Sequence, residues 1–216
     1  MRQIVMEGHL RYKVLESNPE TLLRANRHIS ASDHGALGTR FTVQYNLYAG
    51  SIVALGSAEQ RQFLYDTQEK GELGCFAFTE IGAGVLTGAG VETTATYNAV
   101  TKKFAIHSPT PTSRKTWISQ GMFAEHAVIL ASVIMPDGKD MGPHIFYARI
   151  QTRNKNTGLM TSLEGVELTS LPTKTALRGL DNAYVKVCWI RNFCAISLSN
   201  NTFLFSPNYY ISSIIL

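Results

Sequence analysis

The hydrophobic period of this chain changes once, near residue 72, and that change constrains the fold more than any other feature. Before it, apolar positions recur every three or four residues; after it, they alternate. A helix brings i, i+3 and i+4 onto one face, whereas a strand sends successive side chains to opposite faces, so the two patterns cannot belong to one element. The chain therefore reads as a helical segment followed by a strand-rich one.

In the first part, Asn18-Pro19-Glu20 is a helix start: a capping side chain, a proline at a position whose N–H would be unpaired anyway, and an acid in the first turn. Phe41, Tyr45, Tyr48, Ile52 and Leu55 keep helical spacing, and Gly56 stands where a left-handed C-terminal residue is expected. Ser57-Ala58-Glu59-Gln60 fits a capping box, which predicts a second helix at once, closed by Gly71 and Gly74. From Cys75 onward, Val91, Thr93, Ala95 and Tyr97 alternate with Glu92, Thr94 and Thr96. Strand-like runs follow at 104–106, 126–135, 143–150, 166–168 and 184–190, separated by turns such as Pro136-Asp137-Gly138-Lys139. The expected class is α+β: a partial N-terminal helical domain (1–72), an antiparallel β-barrel or sandwich (73–192), and an irregular tail (193–216).

Composition narrows the function classes. With 44% hydrophobic and 17% charged residues, the chain can bury a core and is not intrinsically disordered. Its net charge of +4 comes from scattered residues, among them Lys102-Lys103, Arg114-Lys115, Arg153 and Lys155. These read as solvated surface, and no nucleic-acid partner is expected. No apolar run approaches the ~20 residues of a membrane-spanning helix, and Met1 to Glu7 lack the apolar core of a secretory signal. Cys75, Cys188 and Cys194 form no C-x-x-C pair and read as reduced thiols, in an intracellular protein. The final residues, Ser212 to Leu216, do not form the peroxisomal tripeptide signal.

For chemistry, there is no G-x-S-x-G elbow, and the six histidines form no metal-binding pair, so no metal is expected. Gly82-Ala83-Gly84-Val85-Leu86-Thr87-Gly88 has the wrong spacing for a dinucleotide fingerprint and precedes strands rather than a helix. Its glycines would instead let the backbone approach a planar or phosphate-bearing ligand, with the Thr79 hydroxyl able to donate or accept at a ring edge. An ordinary glycine turn is an equal reading of the same residues. Trp117, taken by its residue type, reads as a core aromatic.

The run Gly74-Cys75-Phe76-Ala77-Phe78-Thr79-Glu80-Ile81-Gly82-Ala83-Gly84 resembles the flavin loop of the acyl-CoA oxidase and acyl-CoA dehydrogenase superfamily. Segments 92–98, 104–109, 115–118 and 126–131 follow in family order and are closer to the oxidase branch, of the peroxisomal type. Upstream, Asn46-Leu47-Tyr48-Ala49-Gly50 and Leu55-Gly56-Ser57 resemble the oxidase helices; downstream, Gly179-Leu180-Asp181-Asn182-Ala183-Tyr184 resembles the element before the last strand of the β domain. The resemblance covers roughly residues 9–191.

It implies FAD as cofactor and fatty acyl-CoA as substrate. The reaction implied is α,β-dehydrogenation to trans-2-enoyl-CoA with O2 as acceptor, in a homodimer of a peroxisome or related organelle. By position, Phe76, Phe78, Thr79, Gly82 and Gly84 would line the isoalloxazine and ribityl chain, with Thr79 on the flavin edge. Trp117, Ile118 and Ser119 would cover the other side. Val85 occupies a substrate-contact position where the family usually has Ser, with Leu86 in place of Asn or Asp, and Ser119 replaces a common Gly. The family's catalytic glutamate lies in a C-terminal helical domain that this sequence does not include, so no catalytic residue is assigned and the chain alone is expected to be inactive. The alternatives are a dehydrogenase using an electron-transfer flavoprotein, and an inactive relic or binding module.

Overall fold

A computed structural model describes residues 1–32, 35–84 and 90–197, the last seven as backbone only. Helices come first: α1 (Arg2–Glu7), α2 (Val14–Ser17), α3 (Pro19–Ser32), α4 (Ala36–Phe41), a π-helical segment (Thr42–Ala49), α5 (Gly50–Leu55) and α6 (Ala58–Glu69). Strands follow: β1 (Gly74–Ala77), β2 (Thr94–Asn98), β3 (Lys103–His107), β4 (Lys115–Ser119), β5 (His126–Ile134), β6 (Asp140–Arg149), β7 (Gln151–Arg153), β8 (Met160–Ser162), β9 (Val166–Ser170), β10 (Asn182–Val187) and β11 (Ile190–Ser197).

The rod from α4 to α5 buries Phe41, Tyr45, Tyr48 and Ile52, the stripe expected from spacing. It also buries Val43, Gln44 and Ala49, because the wider π turn brings neighbouring positions onto the core face. Gly56 is extended (φ −79, ψ 151), not left-handed as expected from sequence. Glycine is required there for a different reason: a Cβ would collide with the Ile52 carbonyl. The capping box at Ser57 is complete. The Gln60 amide donates to the Ser57 hydroxyl, and the Ser57 amide donates to Gln60 Oε1 at 2.7 Å. Ser57→Ala should therefore cost about 1 kcal/mol, a fall of roughly 2–4 °C in Tm for a chain this size, read by thermal unfolding.

One sheet has the order β1-β5-β2-β3-β11-β6, with β6 paired to β5 as well; a second is β4-β10-β9, and β7 pairs with β8. The expectation of wholly antiparallel pairing is corrected at β5, which runs parallel to both β1 and β2. β5 is apolar apart from His126 and Ser132 and is buried from His126 to Val133, as a strand covered on both faces must be. β1 pairs with its first half (Gly74↔His126 to Ala77↔Ile129) and β2 with its second (Thr94↔Ser132 to Thr96↔Ile134), on one edge. The chain thus leaves that edge after Ala77 and is back on it at Thr94, a few positions on. β11 continues as backbone strand through Ser197, where sequence placed the start of an irregular tail.

The helices hold the sheet through polar side chains. Gln44 Nε2 donates to Tyr12 at 2.6 Å, and Gln44 Oε1 accepts from the Gly74 amide at 3.0 Å. A Cβ on Gly74 would overlap the Tyr48 ring, so β1 starts at the one residue type that lets this aromatic reach the backbone. Beside it, Glu72 receives His126 Nε2 and Arg149, each at 2.8 Å, while the Tyr147 hydroxyl bonds His126 Nδ1.

Candidate flavin-loop site

Two of the sequence-predicted segments meet. The Thr116 amide donates to Thr79 O (2.9 Å), the Ile81 amide to Arg114 O (3.1 Å) and the Gly82 amide to Thr112 O (2.9 Å). Loop 79–82 is zipped antiparallel to the approach into β4, with Glu80 opposite Lys115. Phe76 and Phe78 stack, centroids 4.6 Å apart and planes within 7°.

Trp117 is 60% exposed, not a core aromatic, and its φ of 59° is one that a bulky residue rarely adopts. The turn has identifiable supports: Asn182 Nδ2 donates to Trp117 O (3.2 Å) and to Ser119 Oγ (3.0 Å). Ile118 points the other way and is buried. The result is an indole presented to solvent on a strained backbone, an arrangement with no packing benefit to the chain itself.

Thr79 is half-buried, and neither its amide nor its hydroxyl bonds any described residue. Gly82 is closely approached from within the chain: a Cβ would lie 2.7 Å from Glu92 Oε1 and 3.0 Å from the Thr112 side chain, so a larger residue would displace them. Gly84 differs: it is left-handed (φ 52) with nothing within 4 Å of its missing Cβ. Val85 lies outside the described residues. The exposed indole, the Phe pair and the two spare Thr79 donors fit a planar ring with polar edges. Among the described residues no cluster of His, Cys, Asp and Glu could hold a metal, and no helix is long and apolar enough to cross a membrane.

Behind the loop lies a fully buried ion pair that sequence reading missed, because Lys115 stood in a scattered basic set read as solvated surface. Lys115 is in fact 0% exposed and Glu80 1%. Lys115 Nζ donates to Glu80 Oε1 (2.8 Å), Leu130 O (2.6 Å) and Phe78 O (3.2 Å), which uses all three of its protons. The Glu80 carboxylate also accepts the Glu92 and Thr93 amides at 2.8 and 3.0 Å. Burial pulls Lys115 down to about 8 against the upward push of Glu80. Burial opposes ionisation of Glu80 too, but the Lys115 charge and its bond, with those amides, hold the carboxyl below its ordinary value. With every oxygen committed, Glu80 is no free base. Asn182 was likewise missed as a support; its partners lie more than sixty residues away, and spacing carries no such signal. A separate cleft of about 390 Å³ is lined by Arg40, Phe123, Lys174, Arg178, Asp181 and Asn182.

No family model matches the chain. Individual relatives do. An acyl-coenzyme A oxidase 2, peroxisomal, from Arabidopsis thaliana is 30% identical over 196 residues, 87% of this chain and 28% of the relative. An acyl-coenzyme A oxidase from Komagataella pastoris is 34% identical over 162 residues, 72% and 21% respectively. Among solved structures, acyl-CoA oxidase 3 from Yarrowia lipolytica superposes with a TM-score of 0.68 at 29% identity, covering 84% of this chain and 25% of that one. Acyl-CoA oxidase-1 from Caenorhabditis elegans, complexed with FAD and ATP, gives 0.57 at 28% identity, covering 69% and 21%. The chain thus spans between a fifth and a third of the length of these relatives. Over the part it shares with them, by sequence and by fold, the chain belongs to the acyl-CoA oxidase family.

Proposed function

We propose that these residues form the flavin-holding wall of an FAD-dependent acyl-CoA oxidase. The reaction is conversion of a fatty acyl-CoA to the trans-2-enoyl-CoA with O2 as acceptor, in a peroxisomal homodimer. The observation that carries the reading is the pairing of an exposed, backbone-strained Trp117 with a Thr79 whose amide and hydroxyl bond no partner among the described residues. A flavin held there would supply the hydride-accepting chemistry, with O2 as the final acceptor. The chain's own part is positional. Trp117 and the Phe76–Phe78 pair offer flat apolar surface, Thr79 offers an amide and a hydroxyl to a polar ring edge, and Gly84 leaves room for close approach. Ile118 anchors the Trp117 turn from the core, while Ser119 is tied to Asn182. Val85, proposed as a substrate contact, adds only apolar surface. The pairing circuit β5-β2-β3-β11-β6-β5 supports reading the strand region, 73–192, as a barrel-type domain behind the 1–72 helices. The proton-abstracting base is expected outside these residues, so this chain by itself should yield no peroxide from acyl-CoA.

Titration with FAD, followed by flavin absorbance and quenching of tryptophan fluorescence, tests the reading. The parent protein should bind, and Trp117→Ala should raise the Kd about tenfold, since aromatic contact contributes about 0.5–1.5 kcal/mol beyond area burial. A parent protein that stays colourless in excess FAD would refute the proposal.

A further inference from the structure

The way the chain leaves the sheet after Ala77 gives Lys115 a role beyond charge pairing. Alternate residues of β5 aim their backbone at the edge shared by β1 and β2: His126 donates to Leu73 O, and Ser132 to Thr93 O. Leu130 lies between them on the same edge. Continuing the β1 register, Ala77↔Ile129, would carry the Thr79 amide to Leu130 O, as in any parallel ladder. The chain departs first. The Leu130 carbonyl is instead met by Lys115 Nζ at 2.6 Å, and the Thr79 amide has no partner among the described residues. The same ammonium holds Phe78 O and Glu80 Oε1, the residues on either side of Thr79.

We infer that Lys115 is a positioning residue: its ammonium takes the place of the Thr79 amide at the Leu130 carbonyl, and so frees Thr79 to face the flavin. The inference rests on the flavin reading above for the identity of the ligand, though not for the clamp itself. A buried carbonyl left without a donor is costly, so a strand edge tends to pair wherever it can. Occupying this carbonyl from a second strand keeps Thr79 from zipping back into β1. Fixing Phe78 and Glu80 at the same time sets the direction of the Thr79 side chain.

The test uses Glu80→Gln/Lys115→Met, which removes both charges and so avoids a folding failure caused by an unpaired buried ion. Two quantities are read: amide hydrogen exchange at Thr79 in the cofactor-free protein, and FAD affinity. The Leu130 carbonyl should recapture the Thr79 amide, slowing its exchange about tenfold or more, while FAD affinity falls about tenfold. Lys115→Arg, which keeps the cation, should retain fast Thr79 exchange. An unchanged or faster Thr79 exchange in the double variant overturns the clamp, because a merely structural loss would loosen this amide rather than protect it. Slowed exchange with unchanged FAD affinity overturns its link to the flavin. If the parent binds no FAD at all, the flavin reading fails, and Thr79 exchange alone still decides the clamp.

Discussion

Replacing Glu80 by alanine is expected to lower the unfolding free energy by about 3–5 kcal/mol, because it strands the Lys115 ammonium at 0% exposure. The Glu92 and Thr93 amides lose their acceptors in the same step. Urea denaturation at pH 7 measures the loss. Its pH dependence gives the mechanism a signature. Burial already draws Lys115 from 10.5 to about 8 while Glu80 is present, and Glu80 is what pushes the other way. Without it, the folded-state value falls further, so between that value and 10.5 the unfolded chain holds a proton that the folded chain has given up. Stability of Glu80→Ala should therefore rise with pH from about 7 toward 10. Adding Lys115→Met should recover much of the loss at pH 7. A Glu80→Ala variant as stable as the parent at pH 7 would mean that the pair is not buried as described.

The second large effect is acid destabilisation seated in the Glu72 cluster. Burial opposes ionisation of Glu72, but the hydrogen bond and charge of His126, with Arg149, bring it from 4.5 down to about 2. A depressed carboxyl contributes stability that is full above its unfolded value and is lost as pH falls toward the folded one; here the window is 4.5 to about 2. His126, drawn below 6.5 chiefly by burial, acts in the same direction at higher pH, since the unfolded chain takes up that proton first. Together they should remove about 2–3 kcal/mol between pH 7 and 2, most of it from Glu72. Urea midpoints at pH 7, 5 and 3 would show the fall. Glu72→Gln should flatten its lower half, and an acid limb of the same slope in that variant would place the effect elsewhere.

How much of this could be read in advance depended on how far apart the cooperating residues lie. The stripe Phe41, Tyr45, Tyr48, Ile52 and the box at Ser57 and Gln60 are local, and a helix leaves little choice about where they point. The π segment was not legible, because buried Gln44 looks polar until its partners, Tyr12 and Gly74, are known. Alternation announced most of the strands but not their neighbours. The near-continuous apolar run of β5 marks a strand covered on both faces, as parallel pairing favours, but it does not name β1 and β2 as the partners. The loop at 76–84 stood out through its glycines and its resemblance to a flavin loop. Even so, the close neighbours of Gly82 among the described residues are Glu92 and Thr112, which spacing did not announce. Trp117 illustrates the opposite error: its type suggests a core, and only a left-handed backbone held by Asn182 turns it outward.

The shared edge of β5 also orders events in time. Its pairing with β6 closes through the short turn at 135–139 and can form early and locally. Pairing with β1 must wait for residues as distant as Leu73 and Glu125, 52 positions apart, to find each other across a loop whose closure is entropically unfavourable. Thr79 follows β1 closely and its carbonyl accepts from Thr116 of β4, so its position depends on β1 having docked. On these loop lengths the β5–β6 hairpin is expected to form before the site does, leaving the backbone groups on the other edge of β5 unpaired during the interval.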